Sequence, residues 1–363
     1  MEILYFLIAV LVLALMIFVH ELGHYTAGRL LGFKILDFSI GFGPAIFKIK
    51  KNDIDYALRA IPLGGACRFY GEEDDPQDAV SFNAQKPWKR LIVIFAGPFM
   101  NFVLAYVLAV VMILCFGERE AVKYPNGDYA IVINAVGKDS PAERSGLAAE
   151  DIILSVGGVD ITGEPHEYEE KTKAVSDAIT AAASDGVSVS VDRDGLELTI
   201  FVSDIYNASE GRNFLGITMS PGEVFVRKNL GQALTGGFGF VITIVKTTFS
   251  ALFNGFKNGF HEGDFSGVVG TVALTMKMAS MGSYYLLLII VLISMSLGIM
   301  NLLPVLPMDG GHLLFDFIEL IFGKPVPRSV QNVLSMIGIV LLLMLMVFAT
   351  VSDIKGIING IFS

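Results

Sequence analysis

His20-Glu21-Leu22-Gly23-His24 follows directly on an uninterrupted apolar run, Ile3–Val19, and this junction decides how the start of the chain folds. A helical run of this length crosses most of a bilayer, so the polar motif is predicted to close a membrane span. On a helix, positions 20 and 24 share one face, and both imidazoles can bind one zinc ion while Glu21 stays free to act as a base. Because ionisable groups in lipid are costly unless paired or coordinating, we predict a zinc site rather than a metal-free surface helix.

The composition is that of a membrane protein with a soluble insert. Of the 363 residues, 53% are hydrophobic, and the mean hydropathy is +0.62. The net charge of −10, without a basic stripe, argues against a nucleic-acid partner. The predicted fold class is a polytopic α-helical membrane protein of about four transmembrane helices. The apolar runs are Ile3–Val19 with the motif, Leu91–Phe116, Tyr285–Leu303 and Val333–Val351.

The distribution of lysine and arginine predicts the orientation. Residues 27–90 carry ten of the 26 basic residues, so this loop is expected in the cytoplasm and the zinc motif toward the cytoplasmic side. The N-terminus and the segment between the second and third spans are then extracytoplasmic, in a multi-pass protein of a bacterial-type cell membrane. Lys86, Lys89 and Arg90, with Trp88 among them, read as an interfacial anchor of the second span.

Two parts of the chain carry strand patterns. In residues 33–85, turn signals at Gly41–Pro44, Lys51–Asp53 and Pro62–Gly65 predict a membrane-associated β-hairpin on the cytoplasmic side. Its free edge could pair with an unwound substrate strand, or the hairpin could have no substrate role. Residues 124–220 read as a soluble α+β domain.

Within this soluble domain, Ser140-Pro141-Ala142 leads to Gly146-Leu147 and then to Asp151-Ile152-Ile153. The order resembles a PDZ domain of the circularly permuted bacterial type. That resemblance implies either binding of an extended chain end by strand addition or a size filter, and the sequence leaves both open. Residues 221–283 are predicted to form interfacial amphipathic helices and a linker instead of a fifth span, because Arg227, Lys228, Lys246, Lys257 and many glycines interrupt the apolar sequence.

The third zinc ligand must come from elsewhere in the chain. Two prolines end the third span, and the glycines after them allow the backbone to aim a side chain sideways. Asp309 and His312 are the nearby candidates, and Asp316 and Glu319 stand on the helix beyond. Spacing alone does not choose among these four residues.

The combined motifs resemble the site-2 protease family of intramembrane zinc metalloproteases, specifically its bacterial RseP/RasP type with a single PDZ domain. They are His-Glu-x-x-His, Gly97-Pro98-x-x-Asn101 in the second span, the PDZ-like insert, and Asn301-Leu302-Leu303-Pro304 followed by Asp309-Gly310-Gly311. The resemblance implies zinc ligands His20, His24 and Asp309, and Glu21 as the catalytic base. It also implies that Asn301 and Asn101 help to hold substrate backbone or the intermediate.

The resemblance also implies the activity: hydrolysis of peptide bonds within transmembrane segments of pre-trimmed single-pass membrane proteins, such as anti-sigma factors or signal-peptide remnants. Membrane lipid is the other expected partner. The alternative is a membrane metal-binding or transport protein that uses the same His/His/Asp site without hydrolysis.

The predicted parts of the chain are 1–32 (first span and zinc motif), 33–85 (hairpin), 86–118 (second span), 124–220 (PDZ-like domain), 221–283 (interfacial helices and linker), 284–322 (third span and third ligand) and 328–363 (fourth span and tail).

Overall fold

The computed structural model describes residues 1–72, 78–163, 167–207, 211–259 and 266–358. Its two compact units are Met1–Cys115 with Lys228–Ser363, and Phe116–Arg227. The helices are α1 (Glu2–Leu30), α2 (Pro87–Phe116), α3 (Pro141–Ser145), α4 (Tyr168–Ala181), α5 (Leu230–Asn258), α6 (Val268–Met281), α7 (Ser283–Asn301), α8 (Asp309–Phe322) and α9 (Arg328–Ile358).

Twelve strands are described. They are β1 (Ile35–Lys51), β2 (Ile54–Phe69), β3 (Glu118–Ala121), β4 (Ile131–Val136), β5 (Ile152–Val156), β6 (Val159–Asp160), β7 (Gly186–Arg193), β8 (Leu196–Ser203), β9 (Tyr206–Asn207), β10 (Arg212–Asn213), β11 (Ile217–Pro221) and β12 (Glu223–Val226).

The first unit is helical, and its long helices are apolar enough to lie in lipid. Five described helices have the length and composition to cross a membrane: Glu2–Leu30, Pro87–Phe116, Leu230–Gly255, Ser283–Asn301 and Arg328–Gly356. Small residues let α2 pack closely, because Ala105 and Ala109 are fully buried against Ile244 of α5 and Met295 of α7. The long helices therefore have the character of membrane spans, and small side chains of α2 let it pack against α5 and α7.

The segment predicted as interfacial helices and a linker, 221–283, contains α5, which also has the length and composition of a membrane span. This segment contains one continuous helix of 29 residues, which begins with a reciprocal capping box between Asn229 and Gln232. Its glycines were interpreted as interruptions, but a Cβ atom at Gly237 would lie only 2.8 Å from Val110 of α2. The glycine at this position allows two helices to approach closely and does not break α5.

The predicted hairpin is more elaborate than a pair of strands. Residues 37–40 of β1 pair on one side with 65–68 and on the other with 55–58, and 47–51 pair with 54–58 in turn. The result is a sheet of four segments in the spatial order 65–69, 35–40, 54–61 and 45–51, so segments that follow one another in the chain are not all neighbours. The three predicted turns separate these segments, with positive φ angles at Gly41, Gly43 and Gly64. Segment 65–69 thus forms one edge of the sheet.

The second unit is an α+β fold around one sheet. The strands lie in the order β11-β4-β5-β7-β8, with β6 paired to β5, and β11 and β8 form the edges. The Asp194-Gly195 turn joins β7 to β8, and Ser140 caps α3 by accepting a hydrogen bond from the Glu143 amide. The buried core is aliphatic: Ile131, Ile133, Ile153, Val156, Val175, Val187, Val189, Val191, Val202 and Leu215 are among its members.

Lys171 is the exceptional polar group in this core. Its side chain is fully buried on α4, yet the ammonium donates to the carbonyls of Ile161 at 3.0 Å and Gly163 at 2.9 Å. Asp128 Oδ2 lies 3.4 Å away, and the Tyr124 ring centroid lies 4.8 Å away. This lysine is thus satisfied entirely by its own unit.

Candidate metal centre

The two histidines of the motif and Asp309 come together in the structure. His20 and His24 lie one turn apart on α1, both are buried, and their Nε2 atoms are 3.2 Å apart. Asp309 is the first residue of α8, and its Oδ2 lies 3.1 Å from Nε2 of His20 and 3.5 Å from Nε2 of His24. In the described ranges, no other group of His, Cys, Asp or Glu converges closely enough to hold a metal ion.

The spacing of these three atoms fits zinc. Bonds of about 2.0–2.1 Å meeting at tetrahedral angles separate neighbouring ligand atoms by about 3.3 Å. The observed separations of 3.1, 3.2 and 3.5 Å lie around that value. Asp309 Oδ2 is buried with no hydrogen-bond partner besides the two imidazoles, so its charge requires a cation. Two imidazoles and a carboxylate also form a catalytic zinc set that keeps a fourth position for water.

The Nδ1 atom of His24 is hydrogen-bonded to the backbone of α2. Nδ1 lies 2.9 Å from the Val93 carbonyl oxygen, to which it donates its proton. That bond leaves the Nε2 lone pair available for a metal and fixes the orientation of the ring. The backbone of α2 therefore selects the tautomer that a zinc ligand needs.

Asn101 performs the corresponding task for His20. It is fully buried in α2, and its side-chain amide lies 3.1 Å from His20 Nδ1. Its Oδ1 has no partner in the present orientation, and a 180° rotation of the amide would let this oxygen accept from a protonated Nδ1. A histidine that binds metal through Nε2 requires that acceptor.

Asn301 is the half-buried last residue of α7, and its contact with substrate stays a prediction.

Two glycines make this approach of α1 and α2 possible. A Cβ atom at Gly23 would lie 2.1 Å from the Ala96 carbonyl oxygen, so any side chain there would push the helices apart. A Cβ atom at Gly97 would lie 2.2 Å from Nε2 of His24, in the space next to the ligand atom. The glycines of both motifs are therefore part of the metal centre's geometry.

The remaining candidates for the third ligand lie elsewhere. His312 is exposed and does not join the converging ligand atoms. Asp316 and Glu319 instead pair with the guanidinium group of Arg90, which is buried with only 4% of its surface exposed. Sequence reasoning interpreted Arg90 as an interfacial anchor, and that interpretation is wrong because its charge is neutralised by α8 and not by a lipid surface.

Glu21 lies between the metal ligands and the edge of the sheet. Its side chain is 9% exposed, and a Cβ atom at Gly65 would lie 2.6 Å from its Cγ. The backbone N–H of Cys67, also in segment 65–69, interacts with its carboxylate. The residue predicted as the base is therefore adjacent both to the histidines and to a strand edge.

Comparison with known proteins decides the family. Peptidase family M50 matches residues 8–345 of the chain. The chain belongs to this family of site-2 proteases. Relatives named "Putative zinc metalloprotease" occur in Synechocystis sp. at 34% identity over 97% of this chain and 95% of the relative, and in Campylobacter jejuni at 32% over 98% and 94%. A third, from Clostridium acetobutylicum, is 29% identical over 97% and 98%.

Membership makes this M50 protein a membrane zinc metalloprotease. Two features were not predicted from the sequence: the Val93 carbonyl that orients His24, and the ion pairs of Arg90 with α8. A backbone carbonyl has no sequence signature, but an arginine at the start of an apolar helix was a usable signal for a buried ion pair.

Proposed function

We propose that this M50 protease hydrolyses peptide bonds inside the transmembrane segments of single-pass membrane proteins that have already been trimmed outside the membrane. The observation that carries the proposal is the position of the zinc ligands. His20 and His24 lie on a helix that has the length and composition of a membrane span, and Glu21 lies beside them. A protease built for soluble substrates would have no need to bury this chemistry in an apolar helix.

The residues divide the chemistry among them. His20, His24 and Asp309 would hold the zinc ion, which when bound would supply a Lewis acid for the scissile carbonyl and lower the pKa of a water molecule. Glu21 takes the proton of the attacking water and delivers it to the leaving amine. Val93 and Asn101 keep the imidazole rings in the orientation that exposes Nε2.

The edge segment 65–69 supports a mode of substrate binding. A transmembrane helix hides its amides in internal hydrogen bonds, so a substrate must unwind locally before it can be cut. Segment 65–69 pairs on one side only, with residues 35–40, and Gly65 lies against Glu21. An unwound substrate that adds to this edge would be held extended beside the catalytic base, and it would have to replace the contact between the Cys67 N–H and the Glu21 carboxylate.

We propose that the PDZ-like unit acts outside the membrane as a filter against bulky ectodomains. Strand addition to such a domain requires a free sheet edge, which β11 provides. The carbonyl of Met219 on β11, however, already accepts a hydrogen bond from the Tyr168 hydroxyl at 3.1 Å. This contact competes with an added strand and favours exclusion by size over capture of a chain end.

The decisive experiment uses Glu21→Gln in the purified full-length protein. We expect zinc content to stay at one ion per chain while cleavage of a single-pass membrane substrate with a short ectodomain falls at least a hundredfold. Glu2→Gln, on the same helix but at its exposed end, serves as the matched control and should cleave normally. Unchanged cleavage by Glu21→Gln, measured by gel mobility of the product, would reject Glu21 as the catalytic base. Absence of cleavage by the zinc-loaded wild-type protein would reject the protease function in favour of metal binding or transport.

A further inference from the structure

We propose that Arg90 is a positioning residue of the zinc centre, which holds α8 so that Asp309 reaches the two imidazoles. The proposal rests on the metalloprotease function stated above, but it concerns metal binding and can be tested without substrate. Arg90 lies outside the cluster of metal ligands, and it belongs to none of the motifs that carry the family resemblance.

The contacts of Arg90 are made by a buried, fully engaged guanidinium. Its Nε and Nη2 lie 3.0 and 2.8 Å from Asp316 Oδ1, and Nη2 also donates to Glu319. Its Nη1 donates to the Asn83 carbonyl at 2.8 Å. One side chain thus ties the beginning of α2 and the segment before it to two carboxylates of α8.

The spacing along α8 connects this ion cluster to the metal. Asp309 and Asp316 are seven residues apart, which is about two helical turns, so they lie on nearly the same face and about 10 Å apart along the axis. The opposite part of the helix is open, with Phe317 and Ile321 more than half exposed. The polar face of α8 is therefore fixed at two points, the zinc ligand at its first residue and Arg90 farther along.

The same helix that carries Arg90 also orients the histidines. Val93 O accepts from His24, and Asn101 lies against His20, three and eleven residues after Arg90 on α2. Because α2 orients the two imidazoles and Arg90 of α2 fixes the helix bearing the carboxylate, α2 sets all three ligands relative to one another. Loss of Arg90 would free α8 and leave two buried carboxylates without their cation.

The test is zinc affinity, measured by chelator competition on the full-length protein in detergent, together with the visible spectrum of the cobalt-substituted protein. Arg90→Met should weaken zinc binding about 10- to 100-fold and alter the tetrahedral cobalt bands, as expected when support of a ligand is lost. Arg90→Lys keeps the charge but not the forked geometry, and it should give a smaller loss. Lys86→Met, an exposed residue next to the start of α2, is the control and should leave both readouts unchanged.

A purely structural role makes a different prediction. If Arg90→Met lowers the melting temperature while zinc affinity and the cobalt spectrum stay at the wild-type values, the proposal is overturned. If Arg90→Met does not fold, Glu319→Gln removes one of the two ion pairs and leaves the other, and the same criterion applies to it. If the protease function is wrong, the wild-type protein will not cleave the substrate, but it will bind zinc and will still lose zinc affinity when Arg90 is substituted.

Discussion

The helical unit and the Phe116–Arg227 unit each bury polar groups. Within the described residues, buried side-chain atoms that lack a hydrogen-bond partner are found in the helical unit alone. Lys171 is surrounded by carbonyls, Asp128 and the Tyr124 ring, so its charge is matched inside the unit. His20, His24 and Asp309 instead converge their ligand atoms, and Asp309 Oδ2 finds no hydrogen-bond donor besides the imidazoles. A buried polar group whose hydrogen bonds and charge are matched by its neighbours is compatible with a stable fold. Buried ligand atoms that point at one another and lack such partners are arranged for an external ion.

The largest expected effect comes from removing one convergent ligand. His24→Ala should lower zinc affinity on the order of a thousandfold, since one of three protein ligands is lost from a site whose total binding free energy is about 10–16 kcal/mol. Cleavage should fall to background while the secondary structure is kept. Elemental analysis and chelator competition measure the loss of zinc. If His24→Ala binds zinc as tightly as the wild type, the His20, His24 and Asp309 cluster is not the zinc site and does not differ from the Lys171 cluster in this way.

Lys171→Met tests the opposite cluster. Replacement by an apolar side chain of similar length leaves the Ile161 and Gly163 carbonyls without the lysine donor and removes the cation that lies 3.4 Å from Asp128 Oδ2. We expect a loss of about 3 kcal/mol in the stability of this unit, with zinc affinity unchanged. Hydrogen exchange of the β4 and β7 amides in the full-length protein reports the stability. A fall in zinc affinity would show that Lys171 serves more than its own unit.

Asn101→Ala should have a smaller effect on the metal centre. The substitution removes the side chain that faces His20 Nδ1 but keeps all three ligands, so zinc affinity is expected to fall about tenfold. Phe102→Leu, a neighbouring apolar substitution on the same helix, is the control. Equal zinc affinities for Asn101→Ala and wild type would mean that His20 is oriented by packing alone.

The smallest expected effect is a pH dependence in the Lys171 cluster. Burial raises the pKa of Tyr124 to about 12, because the phenolate would be poorly solvated there. The hydroxyl donates to the Ile153 carbonyl at 2.6 Å. The folded pKa lies above the usual value near 10, so this contribution to stability is complete below pH 10 and is lost as the pH rises toward 12. Tyr124→Phe should remove that part of the stability loss between pH 10 and 12. A phenolate absorbance titration showing an ordinary pKa for Tyr124 would contradict this expectation.

Prediction from the sequence succeeded where the information is local. The apolar run before His20 and the four-residue spacing to His24 are properties of one helix. The three turns that divide residues 33–69 are also encoded by short stretches of sequence. It failed where composition is ambiguous. The glycines of α5 read as interruptions, although Gly237 allows a helix contact, and Arg90 read as an anchor, although α8 surrounds it with carboxylates.

The sequence by itself determined that a metal-binding pair closes the first span, because helical periodicity places positions 20 and 24 on one face. It left four candidates for the third ligand, and the choice of Asp309 came from family resemblance and not from spacing. Only the tertiary structure brings Asp309 Oδ2 to 3.1 Å from His20, commits Asp316 and Glu319 to Arg90, and sets Asn101 against His20. These contacts join residues that are far apart in the chain, and they depend on how closely α1, α2 and α8 pack, which no local pattern encodes.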